Sequence, residues 1–258
     1  MRIGLEGNHL AGVGQRGWRG SLDLAREHGL DSVFFKSILD LSPTLDMGEL
    51  REARAYADCH GMDVEVGIGR VNPDSTAESP HVRRLGGGDY RKTIEQMIHA
   101  GREIDCTELW AETATIKRDL AAGSFIVDCF RTDTTWEDQR AATSRFLNAL
   151  APLLRDLGCR VSSKTQEDVT SHRLVRLVES VGADLATAEV SDLVRLAQGC
   201  EVCIARREMM PAAGYAAIPF DDLAIPNILK SERHLRAILV QRGHTHSPPT
   251  KGASVRAG

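Results

Sequence analysis

The chain has 258 residues, with 32 Lys and Arg against 36 Asp and Glu and a formal net charge of −4. That balance gives no electrostatic case for nucleic acid or an anionic membrane as partner. No apolar run reaches the ~18 residues of a membrane-spanning helix, and a chain this long hides roughly 70–75% of its unfolded surface on folding.

The opening MRIGLEGNHLAG puts Glu6 and His9 where a signal peptide would be apolar. It reads instead as the first strand of a cytoplasmic protein. Ile3–Leu5 is that strand. A Gly-rich turn with Gly12, Gly14 and Gly17 follows, then a helix around Ser21–His28 closed by Gly29. Ser32–Phe35 is the second strand, Met47–His60 the second helix, and Val64–Ile68 the third strand. The Pro-, Ser- and Gly-rich stretch Val71–Gly88 reads as a long loop, of the length that is usually functional.

Asp89 is placed to cap a helix whose Ile94, Met97, Ile98 and Ile104 follow a helical period. Thr107–Ala111 is the fourth strand, and Ser124–Cys129 a further β-like piece. Thr135 and Asp138 form a capping pattern for a long amphipathic helix that Gly158 ends. Val161–Ser163 is the fifth strand, and Leu174–Val181 lies in the fifth helix. Beyond Asp184 the rhythm weakens. Leu185–Leu196 is helical in composition, and Pro211, Pro219 and Pro226 break up the next segment. Only Glu232–Gln241 reads there as an amphipathic helix, and the polar tail 243–258 is expected to be disordered. The six cysteines fit reduced thiols, and the CxxC pair Cys200 and Cys203 lacks a second pair to complete a zinc site.

Five strands alternating with helices predict βαβ units on a parallel sheet, hence an α/β fold. In a barrel of that kind the C-terminal strand ends share one face, where chemistry is placed. The polar residues assigned to those ends are Glu6, Lys36, Glu65, Glu112 and Lys164. Glu6 and His9 bracket the first strand end, although each also reads as a surface residue of a Gly-rich loop. Lys36 follows Val33-Phe34-Phe35, and Glu112 closes ELWAE, in which Trp110 reads as core or wall. In FRTDTTW, Arg131 suits bidentate contact with a carboxylate, while Asp133 reads equally as a turn residue. The stretch CRVSSKTQEDVTS crowds Lys164, Gln166, Glu167 and Asp168 into one turn. Its two acids also suit the N-terminus of the next helix.

Taken in order, GLEGNHL, LAREHGLDSVFFKSILDLSPTLD, CTELWAETATIK, FRTDTTWEDQ and LRDLGCRVSSKTQEDVTS resemble the xylose-isomerase-like TIM barrels. This is the sugar phosphate isomerase/epimerase group, which also includes endonuclease IV, and the resemblance covers residues 1–183. It implies a TIM (β/α)8-type barrel, incomplete or irregular after residue 184, in a single domain over 1–242 whose part 184–242 diverges. It implies an enzyme that moves a proton next to the carbonyl of a small polyhydroxylated keto sugar or sugar acid. A divalent metal (Mn2+, Mg2+, Co2+ or Zn2+) held at the strand ends would assist. Glu112 is then base or metal ligand, and Lys164 proton donor or carboxylate anchor. Glu6, His9, Lys36, Arg131 and Gln166 are expected to contact substrate. Glu112 and Glu167 are the candidate metal ligands, short of a complete set.

The chain also departs from the pattern. Lys164 stands where the family has a Glu, and Gln166 where it has a His; a protonated Lys repels a cation rather than binding it. After Gly182-Ala183-Asp184 no strand end of the Leu-Asp-Thr type follows. The expected partner is a carbohydrate-like small molecule, with no nucleic acid or membrane, and a homo-oligomer is left open. Decarboxylation or dehydration of a keto sugar acid, or a non-catalytic barrel without a metal site, are the alternatives. Endonuclease chemistry would need a metal cluster richer in His, Asp and Glu than this chain offers.

Overall fold

The computed structural model describes residues 3–7, 13–74, 80–113, 116–119, 124–127, 133–164, 171–182, 186–189, 233 and 237. The chain divides into two compact units: residues 1–35, 51–64 and 194–258 form one, and residues 36–50 and 65–193 the other.

The first unit opens with β1 (Gly4–Glu6), followed by α1 (Val13–Glu27) and β2 (Ser32–Phe35). β1 and β2 pair in parallel, Gly4 opposite Ser32 and Glu6 opposite Phe34. Asp31 fastens this start of the sheet. Its carboxylate accepts the Ile3 N–H at 2.8 Å, and its own N–H donates to the Ile3 carbonyl. Leu22 and Ala25 of α1 and Val33 of β2 are buried, as are Ala53 and Ala57, one helical turn apart in α2 (Met47–Cys59). Helix α1 begins earlier than its composition predicts. Gly14 and Gly17 lie inside it rather than in a turn, and Gly17 marks a kink at φ 64°.

The second unit contains most of β3 (Asp63–Arg70), then α3 (Pro80–Leu85), α4 (Tyr90–Glu103) and β4 (Glu108–Glu112). After these come β5 (Ile116–Asp119), β6 (Ser124–Val127), α5 (Trp136–Leu157), β7 (Arg160–Lys164), α6 (Ser171–Val181) and β8 (Ala186–Glu189). Its sheet runs β3-β4-β7-β8, with β3–β4, β4–β7 and β7–β8 all parallel. β5 and β6 form a separate antiparallel ribbon. β5 had no sequence signal. The predicted loop 71–88 contains α3, whose His81 ring bonds the Pro43 carbonyl at 2.8 Å.

The predicted caps hold. Asp89 accepts the N–H groups of Arg91 and Lys92, and Thr135 with Asp138 forms a reciprocal capping box. Gly158 ends α5 in the left-handed region at φ 63°, which a residue without Cβ enters at no steric cost. The core is built from Ile94, Met97 and Ile98 of α4, Leu109 of β4, Leu147, Leu150 and Leu154 of α5, and Val161 of β7. Leu174 and Leu177 of α6 pack with Trp136.

One element corrects the sequence reading outright. Leu185–Leu196 is helical in composition, yet Ala186–Glu189 is a strand, paired from Val161↔Ala186 to Lys164↔Glu189. Ala and Glu prefer helices only weakly, and pairing along an existing sheet edge overrides so small a bias.

Candidate active site

A close contact tells the two faces of β4 apart. A Cβ on Gly101 of α4 would come within 2.6 Å of Leu109 Cδ2, so Leu109 faces the helices. Side chains alternate along a strand, which puts Trp110 and Glu112 on the opposite face. The same face carries Gly67 of β3, where a Cβ would lie 2.9 Å from Trp110 Cε3 and 2.1 Å from the Lys36 carbonyl oxygen. Only glycine lets these three segments approach so closely.

At the C-terminal ends of the strands the register lines up a row of charged positions. Arg70 lies opposite Glu112, past a register shift in β3, and Lys164 lies opposite Glu189. Ala111 pairs with Ser163. One residue further on, Glu112 and Lys164 therefore reach the same level. Along β3, β4, β7 and β8 the row reads Arg, Glu, Lys, Glu.

Glu112 is the centre of this row. Its Oε1 is 2.6 Å from Lys36 Nζ, and its Oε2 is 3.8 Å from Arg70 Nε. The carboxylate is deep, 10% exposed, while the Lys36 side chain is 44% exposed and Arg70 15%. A carboxylate so buried requires charged partners, and two cations supply them. Lys36 Nζ also stands 5.8 Å from the centre of the buried Trp110 ring.

The backbone beneath this pair is well anchored. Tyr90 Oη accepts the Arg70 N–H at 3.1 Å and donates to the Arg70 carbonyl at 2.7 Å. The Val71 N–H donates to the Glu112 carbonyl at 2.9 Å. Just beyond, buried Asn72 donates from Nδ2 to Gln139 Oε1 of α5 at 3.1 Å. Thr113 Oγ1 and Ser163 Oγ are buried with no hydrogen-bond partner among the described residues.

Of the predicted site residues, the structure brings Lys36 and Glu112 into contact and puts Lys164 on the same register level. Glu6 ends β1 in the first unit, half-buried. His9, Arg131, Gln166 and Glu167 lie outside the described residues, as do Cys200, Cys203 and the tail 243–258. Glu65 is corrected: it is exposed, five residues before the end of β3, and so away from the strand-end row. Asp133 is an exposed residue two positions ahead of the α5 cap. Sequence reasoning missed Arg70, because β3 was ended at Ile68. It missed Glu189, because β8 was read as helix.

A divalent metal does not fit the described donor set. No group of three or more His, Cys, Asp or Glu side chains converges there as a metal site, and Glu112 has its oxygens turned to Lys36 and Arg70. Two cations on the same carboxylate repel a third.

No family model matches this sequence, and no curated protein matches it significantly. Among solved structures, the chain is similar to a D-psicose 3-epimerase from Clostridium cellulolyticum H10, with TM-score 0.53 and 12% identity. It is similar to a further D-psicose 3-epimerase (TM-score 0.52, 15% identity), each match spanning 73% of this chain and 62% of the other. A 3-keto-D-glucoside 4-epimerase from E. coli gives TM-score 0.50 and 16% identity over 73% of this chain and 67% of that one. The chain has a TIM-barrel-type α/β fold, a parallel sheet with helices. It spans less than two thirds of the length of the first two of these neighbours. In such a barrel chemistry sits at the C-terminal ends of the strands, which is where Arg70, Glu112, Lys164 and Glu189 are aligned.

Proposed function

We propose that this chain is an enzyme of the sugar isomerase/epimerase kind, moving a proton next to the carbonyl of a small polyhydroxylated keto sugar or sugar acid. The observation that carries this reading is Glu112: a carboxylate buried at a strand end, with Lys36 and Arg70 on its two oxygens. In the proposed reaction Glu112 takes the proton from the carbon beside the carbonyl. The enolate that forms is stabilised by the positive charge already fixed there. Lys164, ending the neighbouring strand, returns the proton or holds the substrate. Glu6, His9, Arg131 and Gln166 are further proposed substrate contacts. The sugar epimerases that share this fold support the substrate class, and the fold alone leaves the reaction open.

The test is solvent exchange. A panel of ketoses and sugar acids is incubated with the protein in heavy water and followed by nuclear magnetic resonance. Deuterium is expected at the carbon beside the carbonyl of at least one of them. Glu112→Gln should slow that exchange about 100-fold or more, the usual worth of a positioned base. If no compound exchanges, isomerises or epimerises, the enzyme reading fails and a non-catalytic barrel takes its place. Release of carbon dioxide or water instead assigns the same site to decarboxylation or dehydration.

A further inference from the structure

Among the described side chains two cations, Lys36 and Arg70, lie on the single carboxylate of Glu112. The two cations on Glu112 are not equivalent. Arg70 is 15% exposed and has its backbone held on both sides by Tyr90 Oη. Lys36 is 44% exposed on a flexible stem, and its contact with Glu112 is the short one at 2.6 Å. In this arrangement the base is covered: an ammonium occupies the oxygen that would have to receive a proton.

We infer that the substrate is an anion whose carboxylate draws Lys36 off Glu112 and so uncovers the base. This rests on the proton-transfer reading above and adds the substrate class and the order of events. The incoming carboxylate takes over the Lys36 ammonium from the solvent side, while Arg70 stays where Tyr90 holds it. The freed Glu112 oxygen then accepts the proton from the carbon beside the carbonyl. The electron pair of that C–H bond moves into the enolate, and a proton is returned to carbon when the enolate collapses, so no oxidant or co-reactant is needed. A neutral sugar makes the same hydroxyl contacts but offers nothing in exchange for the ammonium. It leaves Glu112 covered and binds poorly. The two cations already on Glu112 work against a divalent cation.

The probe is a pair of compounds that differ only in the carboxylate, D-fructuronate and D-fructose, titrated calorimetrically against the full chain. D-fructuronate is expected to bind about tenfold or more tightly than D-fructose, the scale of one charge-assisted contact. Lys36→Met should abolish that preference and Lys36→Arg should keep it. Glu112→Gln removes the competing carboxylate and should bind D-fructuronate more tightly than the native chain does. Circular dichroism of each variant verifies that it is folded. Equal binding of the two sugars, no binding of either, a preference that survives Lys36→Met, or weaker binding by folded Glu112→Gln would each overturn the inference. Because binding is read without turnover, tight D-fructuronate binding with no solvent exchange sinks only the catalytic reading. Exchange on neutral ketoses sinks only this one.

Discussion

At the scale of single residues, the candidate site depends on a few contacts that place Glu112, and each can be broken separately. Gly67 is the tightest. A methyl there would meet the Lys36 carbonyl at 2.1 Å and the Trp110 ring at 2.9 Å. Gly67→Ala must therefore push either the strand or the ring away, and forced overpacking of this kind costs about 1–3 kcal/mol. A fall in the urea midpoint of that size, with unchanged slope, is the expected result. Tyr90→Phe removes the hydroxyl that both accepts from and donates to the Arg70 backbone. Losing two part-buried hydrogen bonds should lower stability by about 1–3 kcal/mol. It should also loosen Arg70 beneath Glu112, which the D-fructuronate titration would register as weaker binding. The sequence named Glu112, Lys36 and Lys164 because each follows a recognisable strand. It did not name Tyr90 or Gly67, whose importance lies in what they touch across the fold.

At the scale of elements, α5 shows how a local signal becomes structure. Thr135 Oγ1 accepts the Asp138 N–H at 3.2 Å, while Asp138 accepts from the Thr135 hydroxyl at 2.6 Å. Thr135→Ala should cost about 1 kcal/mol of stability, as removal of an N-cap side chain usually does. The hydrogen bonds from the Thr135 side chain, and then from its backbone, hold the Asp138 carboxyl below its usual range near 3.8. A carboxylate with a depressed folded value stabilises the fold above the unfolded value, and that contribution fades as pH falls toward the folded one. The stability gap between native chain and Asp138→Asn should therefore be open at neutral pH and close in acid, as urea midpoints across that range would report. β8 is the opposite case. Nothing within Ala186–Glu189 selects a strand, and its conformation comes from the ladder with β7.

At the scale of the molecule, the parallel order β3-β4-β7-β8 is what turns separate charged residues into a row. β4 and β7 are paired on both edges, and Leu109 and Val161 are fully buried. Their amides should be among the slowest to exchange with heavy water. The β5–β6 ribbon, two strands with no third among the described residues, should exchange fast, because an isolated hairpin is only marginally stable. Comparable protection of the ribbon and of β4 would show that the sheet is not the most stable part of this unit.

The sequence by itself determined where most elements start and stop, which helix ends are capped, and that the strands alternate with helices in an α/β order. Those are short-range properties, set by periodicity, by caps such as Asp89 and Thr135, and by stops such as Gly158. Only the tertiary structure decided that Lys36 and Arg70 share Glu112, that Ala186–Glu189 is a strand, and that Lys164 is in register with Glu189 on the neighbouring strand. The physical reason is distance along the chain. Lys36 and Glu112 are joined by no local rule; the bridge from Ser37 to Ile68 of β3 and the pairing of β3 with β4 bring them within reach.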